Sequence, residues 1–299
     1  MVGAPPSIHY RWQVLRFAET CCILHFVTSG GTIHIMQEIS VALWKRRDSV
    51  IILTGLLGIV VLAWVYLVHM GRMMAYADAM AAMGMADMAR GWDQADFVMT
   101  FLMWAVMMVG MMVPSAAPMI LVFAAVNRNR ARQGGPYVAT FIFLLGYLAI
   151  WTAFSLLAAL GQSLLHSAAL LEAQRLTVVP WLGGGLLIAA GLFQLSPLKS
   201  SCLTRCRSPF DFLTTEWREG KAGALWMGVR HGAFCVGCCW LLMLLLFVAG
   251  VMNLVWVATI AIFVLAEKLF PRGRLFSYLG AFACVFAGIV WMMGKFHVN

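Results

Sequence analysis

An all-α bundle of transmembrane helices, about seven spans with the N-terminus inside, is the fold class this sequence predicts. Three observations predict it. Of 299 residues, 63% are hydrophobic and 11% charged, against roughly 45 to 50% and about 25% in soluble globular domains. The apolar residues gather in runs near 50–69, 97–126, 137–161, 178–195, 223–249, 251–268 and 275–294, lengths suited to helices that need roughly 20 residues to cross a bilayer. Basic residues crowd alternate connections. One set holds Arg11, Arg16 and Lys45 to Arg47, then Arg128, Arg130 and Arg132, then Lys199 to Lys221, then Lys268 to Arg274; the other holds Arg72, Arg90, Arg175 and Lys295. That bias places the N-terminus inside and the C-terminus outside. It also accounts for the net charge of +9 without a nucleic-acid partner; the lipid bilayer is the partner it implies.

Residues 1–48 form a separate N-terminal arm. They contain Cys21, Cys22, His25 and His34, but no apolar run long enough to span and no signal-peptide cleavage pattern. They read as an interfacial segment or as an extension from an upstream start. The bundle occupies 49–299.

After the first span comes the outer loop 70–96, within HMGRMMAYADAMAAMGMADMARGWDQAD. Met80, Met83, Met85 and Met88 alternate there with Asp78, Asp87 and Asp93. The loop reads as a Met-rich amphipathic helix lying on the membrane, or as an outer collection site for a soft ion with His69 and His166.

The second span contains MWAVMMVGMMVPSAAPM, Met103 to Met119. Met103, Met107 and Met111 follow the i, i+4, i+8 spacing of one helix row, and Met108 and Met112 form the next. Leucine would pack as well, so thioether chemistry is one reading and gap filling is the other. Pro114 and Pro118 each remove a backbone donor, which predicts a bent helix with carbonyl oxygens left free beside the methionines. In the fourth span the run Gly183 to Gly185 provides small residues that let helices approach closely.

The inner loop 196–222 begins SPLKSSCLTRCRSPFDF. Its Pro, Ser and basic residues predict a turn-rich connection, and Lys199, Arg205 and Arg207 favour thiolates at Cys202 and Cys206. A CxxxC with no second pair is not a closed zinc site, so metal exchange, reactive thiols and incidental cysteines all remain readings of it.

The fifth span contains RHGAFCVGCCW, Arg230 to Trp240. His231, Cys235, Cys238 and Cys239 fall at i, i+4, i+7 and i+8, on one helical face. Three soft thiols and an imidazole make a metal face, and soft sulfur selects Cu(I), with zinc second. The same stripe also reads as a thiol redox pair or as packing. Arg230 is expected to snorkel to the inner interface or to pair with Glu267. A tight GVMN around Gly250 separates the fifth span from the sixth.

Some chemistries are excluded. No Walker, GxGxxG, HExxH or GxSxG pattern occurs, which speaks against ATP-driven transport and the familiar hydrolases. The cysteines at midplane or on the inner side do not form the disulfide framework of a secreted domain. A bis-imidazole haem lacks a second histidine at the depth of His231.

MWAVMMVGMMVPSAAPM, SPLKSSCLTRCRSP, GVRHGAFCVGCCWLLM, FVAGVMNLVW and the EK at 267 and 268 together resemble an uncharacterised bacterial family of predicted metal-binding integral membrane proteins, grouped by a domain of unknown function. The resemblance runs from about residue 45 to 294, with the GCCW and MMxPS elements the more specific. It implies an inner-membrane location and a metal site, and carries over to Cys202, Cys206, Cys235, Cys238, Cys239 and the methionine row. It supplies no reaction. Residues 1–45 depart from the pattern.

The leading expectation is a membrane protein that binds Cu(I) for transport or delivery to a protein partner. Its metal ligands are Met107, Met108, Met111, Met112, His231, Cys235, Cys238, Cys239, Cys202 and Cys206, and no catalytic residue is assigned. A membrane thiol-disulfide oxidoreductase using Cys235 with Cys238, and a structural subunit of a membrane complex, are the alternatives.

Overall fold

A computed structural model describes residues 47–83, 93–136, 138–172, 177–270 and 273–296. Cys21, Cys22, His25, His34, Met85, Asp87 and Met88 lie outside the described residues. By internal contacts the chain divides into residues 1–51 and 52–299; the architecture below is that of the second unit.

The helices are α1 (Arg47–Ala82), α2 (Gln94–Arg132), α3 (Thr140–Ser167), α4 (Pro180–Gln194), α5 (Pro197–Arg207), α6 (Pro209–Glu216), α7 (Gly220–Leu244), α8 (Leu246–Ala249), α9 (Leu254–Leu269) and α10 (Gly273–Phe296). Between α3 and α4, β1 (Leu171–Glu172) and β2 (Thr177–Val178) form a two-residue antiparallel ribbon. Among the described residues the protein is all-α apart from this ribbon.

Local chemistry sets the boundaries. Asp93 and Asp96 close a capping box at the start of α2, each carboxylate accepting from the other's backbone N–H at 3.0 Å. Pro180, Pro197 and Pro209 open α4, α5 and α6 in the first turn, where a missing N–H costs nothing. Gly250, at φ 90°, ends α8 before Asn253 caps α9.

Each expected span coincides with a helix, and five segments are long and apolar enough to cross a membrane: Ser49–Tyr76, Gln94–Arg132, Thr140–Ser167, Gly220–Ala249 and Gly273–Met293. The two others are shorter. α4 has 15 residues, about 22 Å of helix, against a hydrocarbon core of about 30 Å; it bends by 63° into α5. α9 has 16 residues. The inner loop 196–222, expected to be turn-rich, is mostly helical as α5 and α6, because Ser196 accepts from the backbone of Lys199 at 3.1 Å and caps α5.

Burial fixes the layering. In α2, 67% of the most apolar window is buried, against 17% in α1 and in α10, so α2 is central and the other two face outward. Outward positions are themselves apolar, with Leu62, Leu157, Phe282 and Phe286 all exposed. That surface suits lipid rather than water. α3 packs most extensively on α7, α4 on α10, and α2 on α3, with α5 against α7. Glycines make the two closest pairs possible. A Cβ on Gly146 of α3 would strike the carbonyl of Leu225, and one on Gly228 of α7 the carbonyl of Phe143. Between α4 and α10, a Cβ on Gly184 would strike the Met292 side chain, one on Gly191 Val285, and one on Gly288 Ile188, whereas Gly185 of the predicted glycine run faces open space.

Candidate metal site

On α7, the four residues at helical spacing all turn inward: Cys235, Cys238 and Cys239 are buried, as is His231. The Cys235 carbonyl accepts from the Cys238 thiol at 3.1 Å and from the Cys239 thiol at 2.9 Å. α5 brings the CxxxC pair to the same place. The buried Cys206 thiol lies close to those of Cys235 and Cys238, and Cys202 Sγ lies only 2.9 Å from where a Cβ on Gly237 would sit. Glycine at 237 therefore lets α5 lie against α7. What the sequence separates into an inner pair and a midplane stripe is one thiol cluster in space. All six described cysteines are free thiols.

Three polar side chains surround Cys235. Tyr147 of α3 places its hydroxyl 3.1 Å from Cys235 Sγ and donates to the carbonyl of Met112 at 3.1 Å. Lys268 of α9 donates to Cys235 Sγ at 2.9 Å and to Ser115 Oγ at 3.0 Å. Ser115 in turn donates to the Met112 carbonyl at 2.9 Å. The closed circuit satisfies the buried ammonium, and its sulfur partner is charge-complementary to Lys268 as a thiolate.

On α2, Met107, Met108, Met111 and Met112 are all buried, with exposures of 1% or less. The row does not face lipid. α2 packs chiefly against α3 and α9, so Tyr147, Ser115 and Lys268 form the link from this row to Cys235. Pro114 and Pro118 are carried inside one continuous helix. The carbonyl that a neighbouring helix uses is that of Met112, not one orphaned by a proline.

His231 sits among Tyr147, Phe143 and Phe212, with ring centroids 5.6, 6.1 and 5.6 Å away. Its Nδ1 is buried without a hydrogen-bond partner. Arg230 pairs with Glu216 and lies over Phe234, not with Glu267 as the sequence suggests. Glu267 is held by Lys199 at 2.7 Å, both groups being buried. His69 and His166 are exposed on α1 and α3.

Among the described residues, no group of three or more His, Cys, Asp or Glu side chains is arranged to hold a metal ion. The Cys238 and Cys239 thiols donate to the Cys235 carbonyl instead of converging with the other donors on a point. A closed tetrahedral zinc site needs such convergence; a soft monovalent ion held by few sulfur donors does not. The orphaned Nδ1 of His231 one turn before Cys235 adds a soft-enough nitrogen nearby.

Sequence reasoning reached every cysteine of the cluster but not its surroundings. Tyr147 and Ser115 carried no signal. Lys268 did: a charge closing an apolar span is functional by default, yet it reads equally as an inner topogenic charge. Cys284 of α10, half-buried, stands apart from the cluster, beside an apolar cavity.

The family model PpoB2, described as a copper chaperone, matches residues 101–291. The match spans α2 to α10 and so includes every residue of the cluster. No curated protein and no solved structure matches the chain.

Proposed function

We propose that this chain, which belongs to the PpoB2 copper chaperone family, carries Cu(I) as cargo within the membrane and hands it to a protein partner. The observation that carries the reading is the gathering of Cys206 from α5 with Cys235, Cys238 and Cys239 from α7 in one buried space. Thiols that bind Cu(I) release their protons, and the ion then replaces the hydrogen bonds that Cys238 and Cys239 now make to the Cys235 carbonyl. Lys268 and Tyr147 orient Cys235. Cys202, half-buried at the edge of the cluster, is the exchange point on the inner side, and the methionine row supplies uncharged thioethers that bind more weakly and release readily. The charge bias supports an N-inside orientation in a bacterial inner membrane.

Elemental analysis of the purified protein beside a variant with serine at Cys235, Cys238 and Cys239 tests this. Copper is expected in the first and largely lost from the second. Equal copper in both rejects the assignment.

The close contact of Lys268 with Cys235 also favours a second reading, a thiol oxidoreductase with Cys235 as nucleophile. The two part at Met108 and Met111. Replacing both with leucine lowers copper content if thioethers pass the ion, and leaves thiol exchange intact in an oxidoreductase.

A further inference from the structure

Near the C-terminal end of α9, Lys268 is buried at 8% exposure, and its ammonium stands apart from the carboxylates of the bundle. Among the described residues, Glu267 pairs with Lys199, Glu216 with Arg230 and Arg205, and Glu219 with Arg130; none pairs with Lys268. Glu267 is its neighbour in sequence, but successive helical residues point about 100° apart, and this carboxylate turns to Lys199 at 2.7 Å. Lys268 meets Cys235 Sγ at 2.9 Å and Ser115 Oγ at 3.0 Å instead. Ser115 and the Tyr147 hydroxyl beside the same sulfur are neutral partners. A buried ammonium needs a counter-charge, and among these groups the sulfur supplies it.

That fixed charge bears on which ion the thiols accept. Each thiol that ligates gives up its proton, so two thiolates around Cu(I) carry one net negative charge, which the ammonium cancels. The same two thiolates around a divalent ion are already neutral, and Lys268 then leaves the buried group with one positive charge unpaired. Such a charge is costly away from water. A third thiolate would cancel it, but among the described residues no three such side chains are arranged to close on one ion.

We propose, on the copper reading above, that Lys268 sets the selectivity of the thiol cluster for a monovalent soft ion over a divalent one. It does not ligate; it acts through its charge, which repels a divalent ion twice as strongly as a monovalent ion at the same place. Softness alone does not discriminate in this way, since thiolates suit zinc as well.

The test uses the full-length protein in detergent without oxygen, with Ag(I) as a redox-inert stand-in for Cu(I) and Zn(II) as the divalent ion. Both are offered together, and elemental analysis gives the ratio bound. The wild-type chain is expected to prefer Ag(I). Lys268→Met is expected to lower the ratio of Ag(I) to Zn(II) at least about tenfold, a modest share of what one unit charge within a few ångströms exerts. Lys268→Arg keeps the charge and is expected to keep the preference. Ser115→Asp puts a carboxylate where the ammonium now meets a hydroxyl, so the ratio is expected to fall there too, with the lysine still present and even where Lys268→Met fails to fold. An unchanged ratio in Lys268→Met or in Ser115→Asp overturns the proposal. So does an equal loss in Lys268→Met and Lys268→Arg, which marks a structural role, and so does a wild-type chain that takes Zn(II) as readily as Ag(I). Wild-type protein that binds neither ion overturns the copper reading itself, which separates the two failures.

Discussion

Lys199 and Glu267 meet in a region shielded from solvent, and their energetics differ from those of a surface pair. Removing one partner leaves the other charged and buried, a loss of about 3–5 kcal/mol, whereas replacing both with apolar residues is far milder. Lys199→Met is therefore expected to lower the unfolding midpoint strongly, and adding Glu267→Leu to restore much of it; thermal unfolding in detergent measures both. Trp104 donates to Gln162 Oε1 at 2.8 Å inside the bundle. Hydrogen bonds between membrane helices average about 0.6 kcal/mol and reach about 1.7, so Gln162→Leu is expected to cost that little by the same measurement. For the methionines, Met108→Leu with Met111→Leu conserves volume and should cost less than about 1.5 kcal/mol. A fall in copper content in that variant thus reports on sulfur rather than on folding. Residue identity told much at this scale. Cys235, Cys238, Cys239 and His231 were legible because their spacing puts them on one face whatever they pack against. Tyr147 and Ser115 were not, because a tyrosine and a serine in an apolar span have many uses, and only position decides among them.

Helix α7 owes its place to glycine. At Gly228 and Gly146 even a methyl group would overlap a backbone carbonyl of the facing helix, so relief requires the helices to separate. Separation moves Tyr147 away from Cys235. Gly228→Ala is expected to destabilise by at least the roughly 1–3 kcal/mol of an overpacked core and to reduce bound copper, while Gly185→Ala, which meets nothing within 4 Å, changes neither. Unfolding midpoint and elemental analysis of the two variants provide the comparison. The second helix carries both of its prolines within one unbroken helical segment. Loop 196–222 shows a discrepancy: proline and serine, read there as turn formers, act as helix starts at Ser196–Pro197 and Ser208–Pro209. The same residues serve both purposes, and the choice depends on whether α7 offers a surface on which the short α5 can lie.

The whole molecule resembles a soluble protein with its outer shell exchanged. Leucine and aromatic side chains cover α1 and α10, and the polar and sulfur chemistry is inside. Cys206, Cys235, Cys238 and Cys239 are buried, so a membrane-impermeant maleimide is expected to spare them in the folded protein and to label them on unfolding, as peptide mass mapping would show. Labelling of Cys235 without unfolding would mean the cluster is open to water. By itself, the sequence determined the helical, lipid-facing class and the face that α7 turns inward. Both follow from composition and from the 3.6-residue period, which need no knowledge of neighbours. Tertiary structure alone decided that Cys206 joins that face and that Tyr147 and Lys268 close around Cys235. Which helices become neighbours is set by where backbones can approach, and those contacts join residues up to 153 positions apart, beyond the reach of any local period.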